Sequence, residues 1–132
     1  MIRTGRKIRF LDLPYTSVYI CAMHVGICKI RLRMPENGSL KDKRHVVKSI
    51  IGRVKNRFDV AVAEVEDNDD RRFAAIGVSC ISNDSRHANE ILSKVAGFVA
   101  GAGFEAEVLG YSTEIIPVFE MDEDIPFPAD YP

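Results

Sequence analysis

Residues 24–58, HVGICKIRLRMPENGSLKDKRHVVKSIIGRVKNRF, change their hydrophobic period midway, and that change decides the fold. From His24 to Arg33 the residues alternate, with Gly26, Cys28, Ile30 and Leu32 on one side and Val25, Ile27, Lys29, Arg31 and Arg33 on the other. Successive strand residues point to opposite faces, so a period of two marks a half-buried strand. Pro35, Asn37 and Gly38 supply a turn, and Ser39-Leu-Lys-Asp42 then places a hydroxyl cap and a first-turn acid ahead of a helical pattern. At helical spacing the apolar stripe is Leu40, Val47, Ile50, Ile51, Val54 and Phe58, with Val46 on its margin. Lys41, Arg44, Lys48 and Lys55 collect on one flank. Lys43 projects nearer the apolar side, and Arg53 and Arg57 point toward the other flank.

Downstream, Asp59 to Glu66 is small and β-branched, the polar run Asp67-Asn-Asp-Asp70 makes a turn, and Arg71 to Ser82 reads as a returning strand. Asn83-Asp84-Ser85 caps a second helix with the stripe Ala88, Ile91, Leu92, Val95, Phe98 and Val99, and Gly101-Ala-Gly103 stops it. Glu105 to Phe119 returns to strand character. The order β-α-β-β-α-β with short connections predicts an α+β, ferredoxin-like split βαβ fold: a four-stranded antiparallel sheet with two helices on one face. The domain is expected over residues 23–119, followed by an acidic, proline-containing tail at 120–132.

The 132 residues, 46% apolar and 28% charged, fit one soluble domain, and no apolar run approaches the length that spans a bilayer. Basic residues open the chain, but Asp12 and Pro14 interrupt the apolar stretch before it reaches signal-peptide length. Cys21, Cys28 and Cys80 are odd in number and lack metal-ligand spacing, so neither a disulfide framework nor a metal site is indicated, and a cytoplasmic location fits. Asn37-Gly38-Ser39 also matches a glycosylation acceptor, which is inert outside a secretory pathway. The net charge of −1 conceals an asymmetry: fourteen Lys or Arg face three acids up to Arg57, whereas four face sixteen beyond it. Such halves point to an electrostatic partner, commonly nucleic acid or an acidic surface, or to a dipolar fold whose halves neutralise each other.

Met23–Arg44, MHVGICKIRLRMPENGSLKDKR, and Ser82–Glu90, SNDSRHANE, resemble the YlxP-like bacterial family of unknown function. The resemblance spans about residues 23–119. It implies a ferredoxin-like fold and a cytoplasmic bacterial protein, with no established activity. Members are often encoded beside translation genes, including those for initiation factor two and ribosome-binding factor A, which implies a link to RNA or the ribosome. Family members usually begin at the equivalent of Met23, so residues 1–22 form an N-terminal extension, either a lineage-specific arm or the product of a start codon assigned too far upstream.

The candidate nucleic-acid surface joins Lys29, Arg31 and Arg33 on the free face of the first domain strand to Lys41, Lys43, Arg44 and Lys48 of the helix. Phosphate neutralisation needs several cations on one accessible face, whereas the bland alternative is a solvated helix and strand cations paired across the sheet. Asn37, Gly38 and Ser39, meeting a helix N-terminus, are candidates for holding an anion, or else an ordinary cap. RNA-recognition motifs share this topology but stack bases on sheet aromatics. Here the outward positions Val25, Ile27, Lys29 and Arg31, with Phe73, Ala75, Gly77, Ser79 and Ile81, offer one aromatic. That face is expected to bury its apolar part, with Leu109, against a second subunit.

His45 and His87 have no nucleophile or carboxylate at convincing spacing, and His24 is expected at a strand edge. No catalytic constellation, cofactor or small-molecule substrate is called for. The leading expectation is therefore a non-enzymatic protein that binds structured RNA or the ribosome. A homodimeric interaction module is the alternative, and a small acylphosphatase-like enzyme ranks last because the loop lacks a glycine-rich cradle and its arginine.

Overall fold

The computed structural model describes residues 6–8, 18–20 and 23–118. Arg6–Ile8 (β1) pairs antiparallel with Val18–Ile20 (β2), a pairing absent from the sequence reading. The expected tail at 120–132 and most of the extension lie outside the described residues. The alternating stretch forms β3 (Met23–Arg33), followed by α1 (Leu40–Arg57), β4 (Ala61–Glu66), β5 (Phe73–Ser82), α2 (Ser85–Gly101) and β6 (Glu107–Val118). The larger sheet runs β4-β5-β3-β6, antiparallel throughout, so each helical crossover skips one strand. This is the predicted ferredoxin-like arrangement.

Each helix starts where the sequence supplies a cap. Ser39 Oγ accepts from the Asp42 N–H at 3.1 Å, while Asp42 Oδ2 accepts from the Ser39 N–H at 3.0 Å. This reciprocal capping box satisfies two otherwise orphaned backbone donors. Asp84 caps α2 by accepting from the Arg86 N–H at 2.9 Å. Past α2, Gly103 takes a φ of 78°, a left-handed conformation that glycine adopts without Cβ strain.

The core lies between the helices and the even-numbered face of β3. Cys28, Ile30 and Leu32 meet Ile76 and Val78 of β5, Ile50 and Val54 of α1, and Leu92 and Val95 of α2. Gly26 marks a close approach of α2 to the sheet, since a Cβ there would lie 2.9 Å from Leu92 Cδ1 and 3.1 Å from Cys80 Sγ. His24 is buried rather than at an exposed edge, facing a groove lined by Ser85, Arg86, Asn89, Ile115 and Pro117.

Both outer strands are irregular. On β4, Glu64 pairs with Ile76 and Glu66 with Ala75, which leaves Val65 as an inserted residue. On β6, Gly110 pairs with Arg31 and Val108 with Leu32, which leaves Leu109 inserted. The second insertion resets the alternation of β6, so that Ser112, Glu114 and Ile116 line the open face of the sheet. Ala75, expected outward and accessible, is fully buried because its register partners Arg31 and Glu66 carry long side chains that shield a methyl group.

Candidate nucleic-acid interface

The seven candidate cations do not form one surface. Lys29, Arg31 and Arg33 occupy the odd-numbered face of β3, whereas α1 packs on the even-numbered face through Val47, Ile50 and Val54. The sheet therefore separates them from Lys41, Arg44 and Lys48. Two of the three sheet cations are also engaged: Lys29 Nζ donates to Glu66 Oε2 at 2.7 Å, and Arg33 lies 4.0 Å from Glu107. The Lys29 hydrogen bond, ahead of its charge, holds the Glu66 carboxyl below its usual range.

Lys43 must be removed from the interface. Its side chain is fully buried, with Nζ 3.0 Å from Glu64 Oε2 and a hydrogen bond to the Asp67 carbonyl. The directed hydrogen bond goes to that carbonyl, and Glu64 Oε2, itself buried, contributes charge rather than a well-aligned acceptor. Desolvated charges persist only when compensated in this way. Lys43 thus pins the first turn of α1 to the β4–β5 hairpin, where Asp67 adopts a φ of 62°.

The Asn37–Ser39 turn is already satisfied from within. The Asp42 carboxylate occupies the helix N-terminus, and its bond to the Ser39 N–H lowers its pKa. Arg71 donates to the carbonyls of Glu36 and Gly38 at 2.9 and 3.3 Å, and Gly38 N–H donates to the Pro35 carbonyl. A phosphate arriving there would meet a carboxylate where free amides are needed. Asn37, Gly38, Ser39 and His45 border an open groove with Met34 and Glu105, but the groove holds no nucleophile poised beside a base.

What remains is the solvent side of α1. The helix carries seven Lys or Arg and one acid, and every one of these cations except Lys43 is exposed. Among the described residues, only Arg44 of those six has a carboxylate within reach, Asp69 at 3.6 Å. Among the described residues Lys41, Lys48 and Lys55 have none.

Arg53 and Arg57 form a feature that the sequence reading missed. The Arg53 guanidinium lies 4.8 Å from the Phe104 ring centre and 5.7 Å from that of Phe98, while Arg57 lies 5.2 Å from Phe98 and 5.9 Å from Phe58. The three rings meet edge to face, Phe58–Phe98 at 5.8 Å and Phe98–Phe104 at 6.2 Å. Each cation–π contact at an exposed site is worth about 0.5–1 kcal/mol and restricts the arginine rotamer. The i,i+4 spacing of two arginines is the only local sign, because the rings come from beyond the helix.

The two remaining histidines do not complete an acid–base site. His45 lies on the groove described above, and His87 Nδ1 is 3.8 Å from Glu90. Burial raises the pKa values of Cys28 and Cys80, which keeps both as thiols rather than nucleophilic thiolates. Among the described residues no group of three or more His, Cys, Asp or Glu is placed to hold a metal, and no helix is long and apolar enough to cross a membrane.

Fold and surface together define a ferredoxin-like α+β domain with one strongly cationic helix. Residues 25–113 match the model of a family described as "Protein of unknown function (DUF503)", and the chain belongs to that family. It is 29% identical over 75 residues to "Uncharacterized protein YlxP" of Bacillus subtilis (strain 168), an alignment covering 57% of this chain and 82% of that protein.

Proposed function

We propose that the protein binds structured RNA, with the ribosome as its setting, through the exposed side of α1. One observation carries the reading: six exposed cations share a helix whose single acid, Asp42, is committed to the cap. A helix that is merely solvated gains from interleaved acids at i,i+4, whereas Arg44–Lys48 and Arg53–Arg57 place like charges at that spacing, each costing about 0.2–0.5 kcal/mol. A polyanion offsets that repulsion by releasing its own counterions. The link to translation genes that the YlxP-like resemblance implies supports this reading, which places the protein in the cytoplasm.

The test is cosedimentation of the full-length protein with ribosomal subunits, and filter binding to ribosomal RNA, across a salt series. Lys41→Glu/Arg44→Glu/Lys48→Glu should abolish retention at low salt and leave the circular-dichroism spectrum unchanged. Restoring neutrality alone, with Gln at the three sites, should flatten the log–log salt slope by about 2–3 if all three contact phosphates. Retention and slope equal to wild type in the Glu variant refute the assignment.

The open sheet face favours a second, compatible reading as a homodimer contact. Ile81 is 66% exposed, Val65 48% and Ile27 40%, and Val25 and Ile116 lie beside them in register. An apolar patch centred on one face is suited to a two-fold partner. Light scattering should report a dimer that Ile27→Glu/Ile81→Glu converts to monomer, and a monomeric wild type at tens of micromolar excludes it.

A further inference from the structure

We infer that Arg53 and Arg57, stacked on the shared ring of Phe98, form a fork that grips the phosphodiester backbone of RNA at the C-terminal end of α1. The inference rests on the RNA-binding reading and assigns a second contact, one face away from the Lys41–Lys48 flank. Both guanidiniums lie within 6 Å of the Phe98 centre, and Arg53 also lies against Phe104 and Arg57 against Phe58. Among the described residues neither arginine has a carboxylate partner, although Asp59 and Glu105 directly follow Phe58 and Phe104.

The chemistry selects phosphate over a base. Two guanidiniums lie over the half-buried Phe98 ring, which leaves little of it for a base to stack on, while both arginines are exposed and their N–H groups have no acceptor among the described residues. A planar fork matches two phosphate oxygens at once. Stacking has already removed much of the side-chain freedom that an unsupported arginine would lose on binding, so the site is preorganised. Lys94, exposed on α2 one turn before Phe98, adds a third cation on the same side.

The experiment is fluorescence anisotropy of the full-length protein with a labelled RNA stem-loop, comparing wild type, Arg53→Lys/Arg57→Lys, Phe98→Leu, and the Glu triple variant of the flank. The lysine pair keeps both charges and loses only the stacked fork. It should weaken binding about fivefold or more at a temperature where its circular-dichroism spectrum still matches wild type, the lost ring contacts lowering the melting point without unfolding the protein. Phe98→Leu should weaken binding in the same direction with both arginines intact. Wild-type affinity in the lysine pair, alongside lost affinity in the flank variant, overturns the fork and leaves the RNA reading standing. Absence of RNA binding by wild type at low salt overturns both. Competition by polyglutamate as effective as unlabelled RNA at equal charge also overturns the fork, since it would show recognition of carboxylate rather than phosphate.

Discussion

Replacing Lys43 by Met should separate the stability of this protein from its binding. The substitution keeps the length of the buried side chain but removes the ammonium that faces Glu64 at 3.0 Å and bonds the Asp67 carbonyl. Breaking a buried pair by deleting one partner typically costs about 3–5 kcal/mol. Glu64 retains 16% side-chain exposure and so keeps some access to water, which places the expected loss near the lower end, about 3 kcal/mol. For a domain of roughly 100 residues that corresponds to a melting point lower by about 12–20 °C. Urea unfolding at neutral pH measures the loss directly. Lys43→Met/Glu64→Leu should recover most of it, because an apolar pair of similar volume leaves no uncompensated charge. A single variant that loses under about 1 kcal/mol, or a double variant no more stable than the single, refutes the buried-pair reasoning. RNA affinity measured where the variant is folded should match wild type. A loss comparable to that of Lys41→Glu would show that Lys43 reaches the ligand.

Other outcomes follow from the packing and the caps. Gly26→Ala should cost about 1–2 kcal/mol in urea unfolding, since the new methyl meets Leu92, Cys80 and Ile115 together in a filled core. Ser39→Ala removes one half of the capping box and should cost about 1 kcal/mol. Asp42, Glu66 and Asp70 all have lowered pKa values, caused first by hydrogen bonds from Ser39, Lys29 and Arg72 respectively. Their contribution is therefore present above the ordinary carboxylate values of 3.8 and 4.5 and is lost as pH falls through the lowered folded values. Acid titration of stability should show that loss, with a shallower slope in Asp42→Asn.

The fold was legible because the hydrophobic period switches from two to 3.6 within a few residues of a capping box, and local signals of this kind agree with one topology. Lys43 shows where such reading stops. It lies three residues after Leu40 and four before Val47, squarely on the buried stripe, yet its charge marks it as a surface residue. Its partner comes from a hairpin twenty-odd residues away, and no spacing rule announces Glu64. The candidate surface failed for a different reason. Charge density in sequence grouped Lys29, Arg31 and Arg33 with the helix cations, although the same alternation that predicted β3 puts them on the face pointing away from α1. Apart from the neighbours Arg57 and Phe58, the arginine–phenylalanine stack is tertiary and could not be read from either helix alone.

The inserted residues on the two outer strands limit how this sheet can grow. Val65 interrupts the ladder of β4, and Leu109 that of β6, so neither rim offers a regular row of backbone donors and acceptors to an incoming strand. Pro117, which has no N–H, further breaks the row on β6. Lateral templating, the route by which open sheets polymerise into fibres, is thus obstructed at both margins. The broad surface of the sheet is left as its route to association, and a face-to-face contact there would close at a finite number of molecules.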